Sequence, residues 1–362
     1  MRRILLVLGV CMVVASCSGG AAPTTTTSTT TSTTISTTST TTTTSTTTTT
    51  TTTLPSGPVV TTLPEGFRSP INGLHPALET LLDRRGIAVK VDNHPEARPQ
   101  SGIQDADGMI EILVEAGFTR FIAVFHDNDT DYIGPIRSIR PTESTLIPWL
   151  DVPLAYSGGQ PWVRDLFAAR SIRLIGESAM FRISSRVAPQ NLYGDTSTFR
   201  TVSDQRGYDD DPPRWLYDIG IWEFPDETAT EITIRWSTAT VVRWVYEDGK
   251  YLRFNGTTPH LWRAEDGSEG QISADVLVTL TGRAYTATPP SGVQGTPVPA
   301  TDTVGSGRAR VFAYGVVWVG TWERDSSNEP FRLISDDGSV AVVPPGVPWV
   351  SILPDIATLT FE

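Results

Sequence analysis

The chain has almost no cysteine: Cys11 and Cys17 are the only two among 362 residues. Cys11 falls inside a segment that reads as an export leader, so the mature chain is expected to fold without a disulfide and to depend on its core. Thiol catalysis and a cysteine metal centre are excluded on the same ground. Lysine is as scarce, with Lys90 and Lys250 alone, so nearly every cation is an arginine; a GC-rich genome accounts for that bias, although the planar fork also suits carboxylate and phosphate recognition. The four histidines include no pair at metal spacing, and neither a nucleophile elbow nor a phosphate loop is present. Positive charge is in deficit: the net charge is −12, and −14 once Arg2 and Arg3 leave with the leader. No nucleic-acid partner is expected of such a chain.

What is present begins at the N-terminus. Arg2 and Arg3 make a basic n-region, Ile4 to Val14 an apolar stretch too short to span a bilayer, and Val14-Ala15-Ser16-Cys17 a small-residue cleavage site ending in cysteine. Residues 1–17 therefore read as a lipoprotein signal, with Cys17 as the lipid-bearing mature N-terminus. The expected location is the outer face of the cytoplasmic membrane or the cell envelope. Residues 18–65 form a stalk: positions 24 to 53 are threonine and serine broken only by Ile35, and cannot bury a core. Fully extended, the thirty residues from 24 to 53 reach at most about 100 Å. The stretch reads equally as an O-glycosylated stalk or a plain flexible linker.

The remaining stretch, 66–362, exceeds what one core usually accommodates, so two domains are expected. The fold class is α+β. A mixed α/β N-terminal domain occupies 66–225, where apolar runs such as "GIAVKVD" alternate with helix-like stretches and "VPLAYSGGQPWVRDLFAAR" reads as strand, glycine turn and helix. A β-rich C-terminal domain occupies 226–362, where the pattern changes to period two and "VVRWVYEDGKYLRFNG" reads as a hairpin turning at Asp248-Gly249.

The segment "VKVDNHPEARPQSGIQDADGMIEILVEAGFTRFIAVFHD", followed by "IGPIRSIRP", closely resembles the N-terminal domain of the YerB-type bacterial lipoproteins. "APQNLY" and "VGSGRARVF…GTWER…PWVSILP" are similar to later segments of that family. The resemblance implies a lipid-anchored, two-domain envelope protein and brings no catalytic assignment with it. Gln190 stands where many relatives are expected to carry histidine.

Candidate chemistry concentrates in the same motif. Asp92, Asn93 and His94 follow a strand, and the C-terminal ends of strands in α/β sheets are where ligand sites tend to lie. Glu111 and Glu115 sit in the neighbouring apolar run, with Arg98, Arg120, Arg137 and Arg140 close by in sequence. Four readings follow: a cleft binding a polar envelope ligand, such as peptidoglycan, or an envelope protein; a cell-wall hydrolase using Asp92, His94, Glu111 or Glu115; a structural partner of wall-synthesis machinery; and a buried polar network in which these carboxylates and His94 pair with the arginines to order the fold. Ser157, Gly158 and Gly159 before a helix start suggest an anion or carboxylate loop, with Arg137, Arg140 and Arg186 as countercharge, or else a tight strand-to-helix turn that needs small residues. Asp127, Asp129 and Asp131 alternate as in an EF-hand calcium loop, but Tyr132 and Ser138 stand where its glycine and glutamate belong, so an acidic turn is the default reading, an irregular calcium loop the lesser alternative, and no other cofactor is expected. "GSGRAR" reads as a turn, and the tryptophans at 215, 222, 236, 244 and 262 read as core or as a glycan platform.

Overall fold

The run Ile87–Asp92 is buried at every position, as a strand covered on both faces must be. It forms β1, which lies inside an eleven-stranded sheet in the computed structural model, whose described residues are 66–222 and 225–362. The leader, Cys17 and the whole segment expected as a stalk, 18–65, fall outside them. β1 pairs antiparallel with β3 (Thr119–Phe125), and β3 antiparallel with β2 (Gly108–Leu113). On its other side β1 runs parallel to β4 (Leu154–Ala155), and β4 parallel to β5 (Leu174–Ile175).

Helix is sparse. "PTESTLIPWLD" gives a 3-10 turn, Pro141–Thr145, and the short α1 (Ile147–Leu150). α2 (Pro161–Ala168) joins β4 to β5 with proline in its first turn, where the missing N–H is harmless. α3 (Thr196–Gln205) starts at Asp195, whose side chain accepts from the Thr198 amide. The molecule is thus mostly strand with few helices.

In the C-terminal half the hairpin forms as its turn dictates: Val241–Glu247 pairs with Lys250–Asn255, and Asp248 and Gly249 take φ of 50° and 83°. "GSGRAR" is no turn. It lies in strand Gly305–Ala313, and its glycine is demanded by close approach, since a Cβ on Gly307 would fall 1.9 Å from the Thr281 carbonyl oxygen. The two segments expected as successive domains share the large sheet, because Pro348–Pro354 lies between β2 and Val276–Gly282 and is parallel to both.

Each face of the large sheet carries its own core layer. Ala88, Ile112, Ile122 and Val124 pack with Leu150, Trp162 and Phe167 on one face. Val89, Val91, Phe121 and Phe125 pack on the other with Ile232, Trp236 and Trp244 of a smaller sheet. Burial of each such side chain is worth about 1.5–3 kcal/mol relative to exposure, so both faces are firmly specified.

Candidate functional site

Successive strand residues point to opposite faces, and the register decides which polar groups can meet. Asp92 lies opposite Arg120, whereas Glu111 lies opposite Phe121. Asp92 and Arg120 therefore share one face and Glu111 occupies the other. Asp92 and Glu111 do not share the single cleft expected to hold them with His94; the sheet separates the two carboxylates, while the His94 amide stays with Asp92, donating to its Oδ1 at 3.4 Å.

On the Glu111 face the carboxylate is fully buried and fully engaged. Arg253 Nη2 donates to Glu111 Oε1 at 2.8 Å, Thr119 Oγ1 to the same oxygen at 2.6 Å, and Trp349 Nε1 to Oε2 at 2.9 Å. The network continues outward: Asn93 Nδ2 donates to Thr119 Oγ1 at 2.8 Å, and Arg98 Nε and Gln100 Nε2 donate to Asn93 Oδ1 at 2.9 and 3.1 Å. His260 closes it, bonded to Gln100 Oε1 through Nε2 and to Arg253 through Nδ1. Burial, then the charges of Arg253 and Arg98, hold the His260 imidazole well below its usual range, so it is neutral. Burial also lowers Arg98 to about 10. This network ties the two halves of the chain together and leaves Glu111 no lone pair facing an opening.

The Asp92 face carries a cationic cluster. Arg137 Nε donates to Asp92 Oδ2 at 2.9 Å, and Arg120 Nε stands 3.5 Å from Oδ1. The Asn93 amide also donates to Oδ1, at 3.0 Å. Arg120 Nη1 donates to the Ser138 carbonyl at 2.9 Å, and Arg140 Nε to Glu115 Oε2 at 2.7 Å. Lys90, wholly buried on the same face, forms an ion pair with Glu143, which also accepts from the Arg140 amide. Burial lowers Lys90 to about 8 and Arg120 to about 10, the neighbouring arginines adding to both shifts. Glu115, pushed up by burial but pulled down further by Arg140, ends below its ordinary value.

The other expected residues scatter. His94 is partly exposed, accepting from the Glu96 amide and packing edge-on against Phe118 at 4.8 Å. The loop at 157–159 does reach the arginine segment: Ser157 N donates to the Arg137 carbonyl at 3.0 Å, and Ile139 N to the Gly158 carbonyl at 3.3 Å. Arg186 does not join it; its guanidinium binds the carbonyls of Glu96 and Pro99 instead. In the acidic loop, Asp129 pairs with Arg84 at 2.8 Å and Arg200 at 3.1 Å, and Asp131 is exposed. Among the described residues no group of three or more His, Cys, Asp or Glu is arranged to hold a metal. Trp215, Trp222, Trp236 and Trp244 are core, and Trp262 is half-buried. Beside Glu115 opens a groove of about 550 Å³, lined by Val114, Trp236, Pro299 and Ile356 among others.

Lys90, Glu143, Arg253 and His260 were not singled out from sequence. A lysine inside "IAVKVD" was a visible signal, because a charge in a doubly covered strand needs a partner. Arg253 had none, since "KYLRFN" alternates like a half-exposed strand.

Comparison with known proteins follows the same division of the chain. The model described as "Protein of unknown function (DUF3048) N-terminal domain" matches residues 71–209, and that of the DUF3048 C-terminal domain matches residues 232–350. Over 146 residues the chain is 32% identical to the YerB protein of Bacillus subtilis (strain 168), provisionally named a lipoprotein. That match covers 39% of this chain and 44% of the relative, so the chain spans less than half the relative's length. The crystal structure of YerB from Bacillus subtilis is similar in fold, with a TM-score of 0.69 at 23% identity over 82% of this chain and 100% of that one.

Proposed function

Because the chain belongs to the DUF3048 family, carrying both its N-terminal and its C-terminal domain, we propose that it is a lipid-anchored, extracytoplasmic protein that binds a polar component of the cell envelope at the Asp92–Arg120–Arg137–Arg140 cluster. One observation carries the reading. The ion pairs that join this cluster hold four cations, Lys90, Arg120, Arg137 and Arg140, against three carboxylates, Asp92, Glu115 and Glu143. An excess cation kept in a largely buried setting is unfavourable unless something outside the chain offsets it. The cluster also stands at the C-terminal end of β1 beside the β4–α2–β5 unit, the mixed α/β part of the N-terminal half, and such strand ends favour ligands. The lipoprotein designation of the Bacillus subtilis relative supports the anchor at Cys17.

Binding is favoured over hydrolysis because Asp92 and Glu111 already have their oxygens engaged by side chains of the fold. Asp92 is held by arginines and Glu111 by Arg253, Thr119 and Trp349. A second reading, contact with an envelope protein, is favoured by the groove that adjoins Arg140 through Glu115.

The test uses the full chain and purified wall fragments. Retention of fragments without cleavage, lost in Arg137→Ala, is expected; release of cleavage products by the wild type, abolished in Asp92→Asn, would favour hydrolysis. Membrane fractionation of Cys17→Ala checks the anchor, and unchanged sedimentation with membranes refutes it.

A further inference from the structure

The arginines of the cluster differ in how their donors are used. A guanidinium carries five N–H donors in a planar fork. Arg137 commits Nε to Asp92, and neither of its Nη atoms has a partner among the described residues; its side chain is 23% exposed. Arg120 commits Nη1 to the Ser138 carbonyl, while its buried Nε lies near Asp92 Oδ1 without completing a hydrogen bond. Arg140 commits Nε to Glu115 and Nη1 to the Ile139 carbonyl. Backbone carbonyls at 138 and 139 thus hold Arg120 and Arg140 in place while the outer edge of Arg137 faces solvent. Gly158, itself exposed, packs against Ser138, where an added Cβ would stand 3.1 Å from Ser138 Oγ.

We infer that Arg120, Arg137 and Arg140 form an oxyanion subsite that receives the carboxylate or phosphate group of the envelope ligand, with Arg137 making the contact and Arg120 and Arg140 acting as positioning residues. This rests on the binding reading above. The charge count sets the stoichiometry: one monovalent anion brings the cluster to neutrality. Asp92 is the built-in competitor, since it occupies the inner donor of Arg137 and lowers the local potential. Fork-to-fork pairing of a planar guanidinium with carboxylate or phosphate supplies the geometry, and partial burial limits screening by salt.

The full chain is titrated with inorganic phosphate and, separately, acetate at constant ionic strength with chloride as the control, following the arginine Nε–H resonances by NMR. Saturable shifts with one or both oxyanions and none with chloride are expected, and their ratio tells a phosphate from a carboxylate preference. Arg137→Gln weakens the binding about tenfold or more, the loss expected for a charge-assisted hydrogen bond. Asp92→Asn is the sharper arm: removing the competing carboxylate tightens oxyanion binding several-fold, whereas a purely structural Asp92–Arg137 pair would change the urea midpoint and leave anion affinity at zero. Should Asp92→Asn fail to fold, the wild-type titration still decides, because absence of any oxyanion-specific shift overturns the subsite. If that absence accompanies Arg137-dependent retention of wall fragments, the subsite falls and the binding reading stands; if fragments are not retained either, both fall.

Discussion

Glu111 has no exposure to water, and its partner Arg253 is equally buried. Around Arg253 the rings of Phe121, Trp244 and Trp349 stand with centroids 5.2, 5.7 and 5.2 Å from its guanidinium carbon. Such a pair contributes little net stability when intact, but removing one member leaves an uncompensated charge in an apolar shell. Glu111→Gln is therefore expected to destabilise the protein by about 3–5 kcal/mol, seen as a lower urea midpoint, while fragment binding per folded molecule is unchanged. Lys90 gives a pH signature. Burial lowers it from 10.5 to about 8 despite the attraction of Glu143. Between those values the unfolded chain holds a proton that the folded chain has released, so stability rises with pH across the window, by about 1.4 kcal/mol per unit at most. Urea unfolding should record that rise in the wild type and not in Lys90→Met; identical slopes would mean that Lys90 keeps its proton in the fold.

At the scale of elements, the turn between β2 and β3 shows how rigidly the candidate site is framed. Gly117 takes φ of 74°, its carbonyl accepts from Ser237 Oγ at 2.7 Å and Thr240 Oγ1 at 2.8 Å, and a Cβ on it would meet Ser237 Oγ at 2.5 Å. Gly117→Ala combines left-handed strain with a clash and should lower stability by about 1–3 kcal/mol, measured by denaturant titration. Effects within experimental error would indicate that this turn is free to rearrange. The same turn separates what sequence could reveal from what it could not. The β1 strand, the hairpin at Asp248-Gly249 and the proline-led start of α2 were visible because each rests on local chemistry. The grouping of Asp92 with Glu111 was not recoverable, because whether they share a face depends on the β1–β3–β2 register, a non-local quantity. Arg186 illustrates the same point: its destination, the carbonyls of Glu96 and Pro99, is set by where the 181–193 arm lands.

For the whole molecule the decisive fact is that the two family segments are joined inside one sheet. Pro348–Pro354 supplies the neighbour of β2 from Met109 to Ile112, and it is buried at all its positions. Without it, β2 would present an unpaired apolar edge, and Phe121 would lose Trp349, whose ring centroid lies 4.9 Å from its own. Glu111 would lose both Arg253 and Trp349, leaving a buried carboxylate held by Thr119 alone. These losses fall on the central strands of the N-terminal segment, so they cannot be absorbed by fraying at a boundary. A chain ending at residue 225 is therefore expected to lack a cooperative unfolding transition and to aggregate through β2, whereas co-expression with residues 226–362 should restore a single transition. Circular dichroism during urea titration distinguishes the outcomes. A sharp transition in the isolated N-terminal piece would mean that its sheet closes without the C-terminal strand, and that the Glu111–Arg253 contact joins two separately stable bodies.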